Sequence, residues 1–175
     1  MIFTSLAICG AYLIDVEPHV DTRGSFARAF CKNEFRSVGI EFDVLQCNLA
    51  HTNCAGVVRG LHYQERPNED NKLVRCIAGA VFDTLVDMRP DSPTFQHVWW
   101  GRLDALDHRA LYVPGGIAHG YQALMNDTEF LYMTDRFYVP GLEKGLRYDD
   151  PALEVPWPLP PVGITERDQN WPLLT

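Results

Sequence analysis

The chain has 175 residues, of which 46% are hydrophobic, 22% charged and 11% aromatic, a composition that fits a single globular domain over residues 1–175 and argues against disorder, collagen or a coiled coil. Its 15 basic and 23 acidic side chains give a formal net charge of −8, so the chain as a whole repels polyanions and is not expected to bind nucleic acid. A local basic pocket for one small anion remains compatible with that charge.

The first predicted elements are strands and one short helix. Residues 1–11 are apolar but lack the basic start of a signal peptide, and their pattern continues into Tyr12–Asp15, which favours one or two strands. A helix is predicted over Lys32–Val38, closed by Gly39 in the left-handed conformation. No run approaches the roughly 20 apolar residues that a membrane helix needs, so no membrane association is expected.

Strand-forming runs dominate the rest of the chain. Residues 73–77 and 80–88, separated by Ala78 and Gly79, are predicted to pair as a hairpin. Further strands are predicted at residues 95–100, 110–113, 120–124 and 129–138, each bounded by turn residues. Many short strands without βαβ alternation predict an all-β sandwich or barrel. Seven of the twelve prolines lie from Pro140 onward, which predicts an irregular C-terminal arm.

The five cysteines bear on the compartment and on metal binding. They lie at positions 9, 31, 47, 54 and 76, an odd number with no C-x-x-C pair, which indicates free thiols in a reducing cytoplasm. A barrel with histidines on its strands first suggests a metal-binding cupin, but His62 is followed by Tyr63 and Gln64, so the H-x-H pair of metal ligands is missing. We therefore expect no metal.

The segment 56–64 places Arg59 and His62 on one strand. Strict alternation puts these side chains on opposite faces, whereas a bulge at Gly60 would bring both to one face. From this segment alone, a core histidine and a catalytic one both stay open. No phosphate-binding loop, dinucleotide fingerprint or nucleophile elbow is present. The remaining His, Lys, Tyr and Asp side chains suit proton transfer next to a carbonyl group.

Five sequence blocks resemble the dTDP-4-dehydrorhamnose 3,5-epimerase family of deoxysugar biosynthesis, in order and at the family's spacing over nearly the whole chain. These blocks are Asp21–Phe26, Gln46–Asn48, Val58–Gln64, Pro114–Gly120 and Asp149–Pro151. The resemblance implies a cupin-like jelly roll, a homodimer, and a nucleoside-diphosphate (dTDP in most members) 4-keto-6-deoxyhexose as substrate. It implies no metal and no cofactor, and inversion of one or both carbons that flank the ketone.

The resemblance also assigns catalytic roles by position. His62 matches the general base, Asp168 the carboxylate that orients it, and Tyr132 the proton donor on the other face of the sugar. Lys72 matches the lysine beside the ketone. The joint presence of these residues, rather than any one of them, supports the functional interpretation, because singly each side chain has an ordinary structural explanation.

The substrate-binding positions implied by the resemblance are more numerous. They are Arg23, Arg28, Gln46, Asn48, Arg59, His119, Tyr138, Glu143 and Arg167. Arg23 matches an arginine that in many members reaches across the dimer. Arg28 stands where many members have a glutamate, a reversal of charge that leaves the identity of the nucleotide open. Alternatives are a single-site 3- or 5-epimerase acting on another nucleotide sugar, a non-catalytic cupin-like binding protein, and a metal-dependent cupin.

Overall fold

The computed structural model describes residues 1–174, and its regular secondary structure is mostly β-strand. In chain order the strands are β1 (Ile2–Ser5), β2 (Tyr12–Asp15), β3 (His19–Asp21), β4 (Gly24–Phe26), β5 (Gln46–Thr52), β6 (Val58–Gln64), β7 (Lys72–Ala78), β8 (Ala80–Asp87), β9 (Val98–Asp104), β10 (Ala110–Val113), β11 (Ile117–Ala123), β12 (Thr128–Thr134) and β13 (Glu143–Gly145). Within the described range the helices are α1 (Lys32–Ser37) and α2 (Glu166–Gln169), with a 3-10 turn at Ala105–Asp107.

Two antiparallel sheets pack face to face. One has six strands in the order β1-β2-β10-β7-β12-β5, the other five in the order β13-β6-β11-β8-β9, and β3 and β4 form a separate small hairpin. Side chains alternate along each strand, so the inward residues of both sheets meet in one core that includes Val74 and Phe130 from the first sheet and Leu85 and Ile117 from the second. The predicted all-β sandwich is confirmed.

The predicted hairpin between residues 73–77 and 80–88 is wrong. β7 pairs with β10 and β12, whereas β8 pairs with β9 and β11, so the two strands belong to different sheets. Gly79 has φ +75°, and a Cβ there would lie 2.6 Å from Thr128 Oγ1. The chain therefore turns a tight corner from one sheet to the other. A short glycine turn between two apolar runs has the same local sequence pattern in a hairpin and in a corner between two sheets. The sequence therefore did not distinguish a hairpin from a corner.

Other element predictions hold with shifted ends. α1 ends at Ser37, and Gly39 follows with φ +81° as expected of a helix terminator. The last long strand ends at Thr134 rather than residue 138, since Asp135 turns back to accept hydrogen bonds from Asn71. The proline-rich arm is irregular as predicted, and it is attached to the body through Val58 N–H, which donates to the Val162 carbonyl. Helices of four and six residues, the only α-helices within 1–174, are far too short to cross a bilayer.

Candidate active site

A bulge in β6 brings Arg59 and His62 to the same cavity, which decides between the two alternatives that the sequence left open. His119 on β11 pairs with His62 on β6, and Tyr121 on β11 pairs with Arg59 on β6. These two pairs are two residues apart along β11 but three residues apart along β6, so β6 carries one extra residue. Gly60 in the bulge has φ +111°, and a Cβ there would lie 2.6 Å from the backbone of Gly120. A glycine is therefore needed both for the backbone conformation and for the close approach of the two strands.

A cavity of about 570 Å³ lies between the two sheets. Strands β5, β7 and β12 of the six-stranded sheet form one wall, and β6, β11 and β13 of the five-stranded sheet form the other. Ten of the residues predicted from the sequence line this cavity: Gln46, Asn48, Arg59, His62, Lys72, His119, Tyr132, Tyr138, Glu143 and Arg167. The volume is in the range of small-molecule sites.

Asp168 lies behind His62 and does not itself border the cavity. Its Oδ1 is 2.6 Å from His62 Nε2, and its side chain is only 4% exposed. The carboxylate is held at α2, where Thr165 Oγ1 accepts a hydrogen bond from the Asp168 N–H. Burial alone would raise the pKa of Asp168, but its hydrogen bond with His62 and the charge of that ring outweigh burial, so the pKa lies below its usual value.

The second ring nitrogen of His62 is turned to Glu143. Nδ1 lies 3.4 Å from Glu143 Oε1, and the other oxygen of Glu143 accepts a hydrogen bond from Arg167. When Nε2 carries the proton that is shared with Asp168, Nδ1 holds a free electron pair. The ring is therefore arranged as a base whose tautomer is set by a buried carboxylate, on the cavity wall formed by the five-stranded sheet.

Tyr132 and Lys72 lie on the opposite wall, on neighbouring strands of the six-stranded sheet. Burial raises the pKa of the Tyr132 hydroxyl, and the nearby charges of Glu143 and Asp70 raise it further, so the hydroxyl keeps its proton at neutral pH. Lys72 Nζ is 3.3 Å from Asp70 Oδ1, and the two side chains are 15% and 8% exposed. This wall therefore offers an acid and a cation to a ligand that faces His62.

A second histidine–aspartate pair lies beside the first. His119 Nε2 is 2.9 Å and 3.1 Å from the two carboxylate oxygens of Asp83, which is completely buried. Burial raises the pKa of Asp83, and the hydrogen bond and charge of His119 oppose that rise. The pair fixes the ring of His119 at the cavity wall, where it stacks on Phe130.

Side chains predicted for the nucleotide lie towards β5. Arg59 Nε donates to Thr52 Oγ1 at 3.2 Å and Arg59 Nη2 to the His51 carbonyl at 3.0 Å. Arg59 Nη1 has no hydrogen-bond partner among the described residues 1–174. Gln46 Oε1 accepts from the Tyr138 N–H at 2.7 Å, and the Tyr138 ring is 54% exposed. Polar groups with spare donors and an exposed aromatic ring are suited to a phosphate and a base.

Arg23 and Arg28 are not brought to this cavity. Arg23 lies in the β3–β4 turn with its side chain 88% exposed and paired to Asp21. Arg28 is 66% exposed and pairs with Glu34 at 3.1 Å. Neither arginine therefore borders the cavity of its own chain.

The residues at or behind the cavity that the sequence did not identify as site residues include Gln64, Asp70, Asp83 and Trp171. Gln64 and Asp70 line the wall, and Gln64 Oε1 is buried without a hydrogen-bond partner among residues 1–174. Asp83 and Trp171 stand behind the two histidines. One signal was present, since Asp83 is a charged residue inside an apolar strand and needs a partner there. The expected absence of a metal stays a prediction, and the described residues contain no group of three His, Cys, Asp or Glu side chains that could hold one.

Comparisons with known proteins identify the family of this chain. The family model described as dTDP-4-dehydrorhamnose 3,5-epimerase matches residues 5–175. The protein of that name from Shigella flexneri is 40% identical over 158 residues, 88% of this chain and 86% of its own length. A Streptomyces niveus dTDP-4-dehydrorhamnose 3-epimerase is 37% identical over 97% of this chain and 82% of its own length.

A solved structure gives the same result for the fold. The Bacillus anthracis dTDP-4-dehydrorhamnose 3,5-epimerase, solved with TDP and PPi bound, superposes with a TM-score of 0.95 at 33% identity and covers 99% of both chains. The cupin-like jelly roll expected from the sequence is thereby confirmed.

Proposed function

Because the chain belongs to the dTDP-4-dehydrorhamnose 3,5-epimerase family, we propose that it inverts one or both carbons next to the ketone of a nucleoside-diphosphate 4-keto-6-deoxyhexose. It is an epimerase of deoxysugar biosynthesis, and its substrate class is a nucleotide sugar. The observation that carries the proposed chemistry is the opposition of His62, backed by Asp168, to Tyr132 and Lys72 across one cavity.

In the proposed first half-reaction, His62 removes the proton from a carbon next to the ketone. The C–H electron pair moves into a carbon–carbon double bond, and the carbonyl π pair moves to oxygen, which gives an enolate. Lys72 stabilises the negative oxygen and Asp168 the imidazolium that forms, roles supported by the cavity position of Lys72 and by the Asp168–His62 contact. Such a base has no need of a metal or an organic cofactor.

In the proposed second half-reaction, Tyr132 donates its proton to the same carbon from the opposite face. The enolate electron pair forms the new C–H bond, the ketone is restored, and the configuration is inverted. His62 then carries one extra proton and Tyr132 lacks one, so exchange with water returns both to their starting states. The raised pKa of Tyr132 supports this role because the hydroxyl is protonated at neutral pH and can donate that proton.

We propose dTDP as the nucleotide, supported by the Bacillus anthracis relative, which was solved with TDP bound. Arg59 and Arg167 supply local positive charge to the diphosphate despite the net charge of −8. Gln46, Asn48 and Tyr138 lie where they can contact the base. Arg28 lies outside this cavity in its own chain, at a position where the family pattern has a glutamate that contacts the nucleotide half. A comparison of nucleotides tests what this exchange of charge does.

The proposed assembly is a homodimer. Val20 and Phe26 of the β3–β4 hairpin are 77% and 75% exposed, and Leu49 on edge strand β5 is 69% exposed. Apolar side chains exposed together on an edge and a projecting hairpin favour burial against another chain. We propose that the hairpin carries Arg23 to the cavity of a second copy. Sedimentation should give twice the monomer mass, and mixing inactive Arg23→Ala and His62→Ala proteins should restore part of the activity.

The test of the function is proton NMR of dTDP-4-keto-6-deoxyglucose in heavy water, with His62→Ala as the control protein. Loss of both signals next to the ketone, dependent on His62, is expected of a 3,5-epimerase. Loss of one signal is expected of a single-site enzyme, which is the activity for which the Streptomyces niveus relative is named. No loss with this or another nucleotide, together with tight binding by calorimetry, would overturn the enzymatic proposal.

A further inference from the structure

Trp171 contacts the catalytic pair from behind the cavity wall. Its indole Nε1–H donates to Asp168 Oδ1 at 3.3 Å, the same oxygen that lies 2.6 Å from His62 Nε2. The indole is edge-on to the His62 ring, with ring centroids 6.3 Å apart. Trp171 does not border the cavity, so any effect it has on the reaction passes through His62 and Asp168.

Gly145 provides the space for this indole. It lies on β13 directly opposite His62 in the strand register, and a Cβ built on it would stand 2.3 Å from Trp171 Nε1 and Cε2. Its φ is not in the left-handed region, so the backbone does not require a glycine there. Room for the indole is therefore the reason for the missing side chain.

The segment that carries Trp171 is fixed at both ends. Thr165 caps α2 through the Asp168 N–H, and the Leu174 N–H donates to Asp150 Oδ2 at 2.6 Å. Trp171 thus has a defined position between two tethered points. A positioned donor is useful here because a carboxylate with one unfilled lone pair can rotate away from the histidine that it orients.

We propose that Trp171, seated on Gly145, is a positioning residue that fixes the Asp168 carboxylate and thereby the ring of His62. This rests on the proposed function, in which His62 is the base. The indole donor also draws electron density from the carboxylate, which weakens its stabilisation of a charged imidazole. Trp171 therefore keeps His62 oriented and available as a neutral base.

Trp171 is uncharged, which makes its removal a clean test. The charged and titratable groups that face the pair are Glu143 on β13, Arg167 on α2, whose Nε is 3.8 Å from Asp168 Oδ1, and His119 across from His62 on β11. None of these changes in Trp171→Phe, which keeps an aromatic ring against Gly145 but removes the N–H donor.

The experiment compares Trp171→Phe with Trp157→Phe. Trp157 is a matched control because it lies in the same C-terminal arm and its indole N–H donates to the Tyr148 carbonyl at 2.8 Å, away from the cavity. For Trp171→Phe we expect kcat to fall about 3- to 10-fold, the value of one hydrogen bond, with KM within about twofold. The acidic limb of the kcat profile should move to higher pH. Trp157→Phe should change neither.

A second measurement does not depend on turnover. The imidazole of His62 is titrated by NMR, with its signal identified by its loss in His62→Asn, and its midpoint should lie at higher pH in Trp171→Phe than in the unaltered protein. Unchanged kcat, pH profile and titration would overturn the inference, as would a rise in KM alone or equal effects in Trp157→Phe. If the unaltered protein exchanges no carbon-bound proton, the proposed function fails, while the titration still tests the contact.

Discussion

Two histidine–aspartate pairs share one cavity wall, and their environments are opposite in character. His62 and His119 are register partners on β6 and β11. Asp168 reaches His62 from the C-terminal arm, whereas Asp83 reaches His119 from the middle of β8. Hydrogen bonds outweigh burial at Asp168 and lower its pKa, while burial dominates at Asp83 and raises its pKa.

The contrast shows that the same two side chains can serve different purposes. A carboxylate that favours its charged form can stabilise a histidine that gains a proton, which is what a base requires. A fully buried carboxylate resists charge, so Asp83 is better suited to hold the ring of His119 in place. His62 is also the more accessible ring, at 24% exposure against 10% for His119.

The largest expected effect separates the two histidines. His62→Ala should lower kcat about 10²- to 10⁴-fold, because a positioned base is lost. His119→Ala should lower it only about 10-fold, the value of one hydrogen bond to the substrate. The rate of epimerisation, followed by NMR, measures both effects. A larger loss of kcat in His119→Ala than in His62→Ala would show that His62 is not the base.

The two aspartates should differ in the same sense. Asp168→Asn should lower kcat about 10²-fold, since an amide at this place no longer fixes the tautomer of His62 or stabilises its charged form. Asp83→Asn keeps the shape of the second pair and should cost less than about 10-fold in kcat. Steady-state kinetics on both purified variants measures the two losses. Equal losses of kcat would show that the different surroundings of the two aspartates do not affect catalysis.

For the free energy of unfolding, we expect the opposite order: the Asp83 variant should lose more stability than the Asp168 variant. Asp83→Ala should lower the free energy of unfolding by about 1–3 kcal/mol, because the nearly buried ring of His119 loses its partner. Asp168→Ala should cost less, since water can reach His62 at the cavity wall. Urea unfolding followed by fluorescence is the measurement, and the comparison breaks if Asp168→Ala proves the more costly change.

The smallest expected effect is on the pH dependence of stability. Asp168 has a lowered pKa when folded, so its contribution is present above the unfolded value of about 3.9 and is lost as pH falls. Asp83 has a raised pKa, so its ionisation costs stability as pH rises above that value. The difference between the original protein and Asp168→Asn should therefore shrink towards low pH, and that for Asp83→Asn should grow. Urea midpoints at several pH values test these opposite slopes.

Most of the strands could be predicted because their signal is local. Alternating apolar residues, β-branched side chains and turn residues describe β10, β11 and β12 without reference to the rest of the chain. The corner at Gly79 could not be predicted as such, since the choice between a hairpin and a change of sheet depends on which strands lie nearby. In the folded chain β7 pairs with β10 and β12, and β8 pairs with β9 and β11.

The site divides in the same way. Residues of the Val58–Gln64 block were identifiable because the bulge and the histidine lie within a few positions of each other. The catalytic roles were assigned through the resemblance, and for Asp168 no local signal supported the assignment, because 106 residues separate it from His62 in the chain. Asp83 and Trp171 were missed because their roles arise only where other elements bring their partners.

The sequence by itself therefore determined the strand content and the glycine at which a bulge could form, since these depend on neighbours along the chain. Only the tertiary structure decided that Asp168 meets His62, that Asp83 meets His119, and that Gly145 leaves room for Trp171. Burial and hydrogen bonding shift the pKa of a carboxylate, and both are properties of the folded surroundings. Two aspartates of the same intrinsic acidity thus acquire opposite behaviour from the places where the fold puts them.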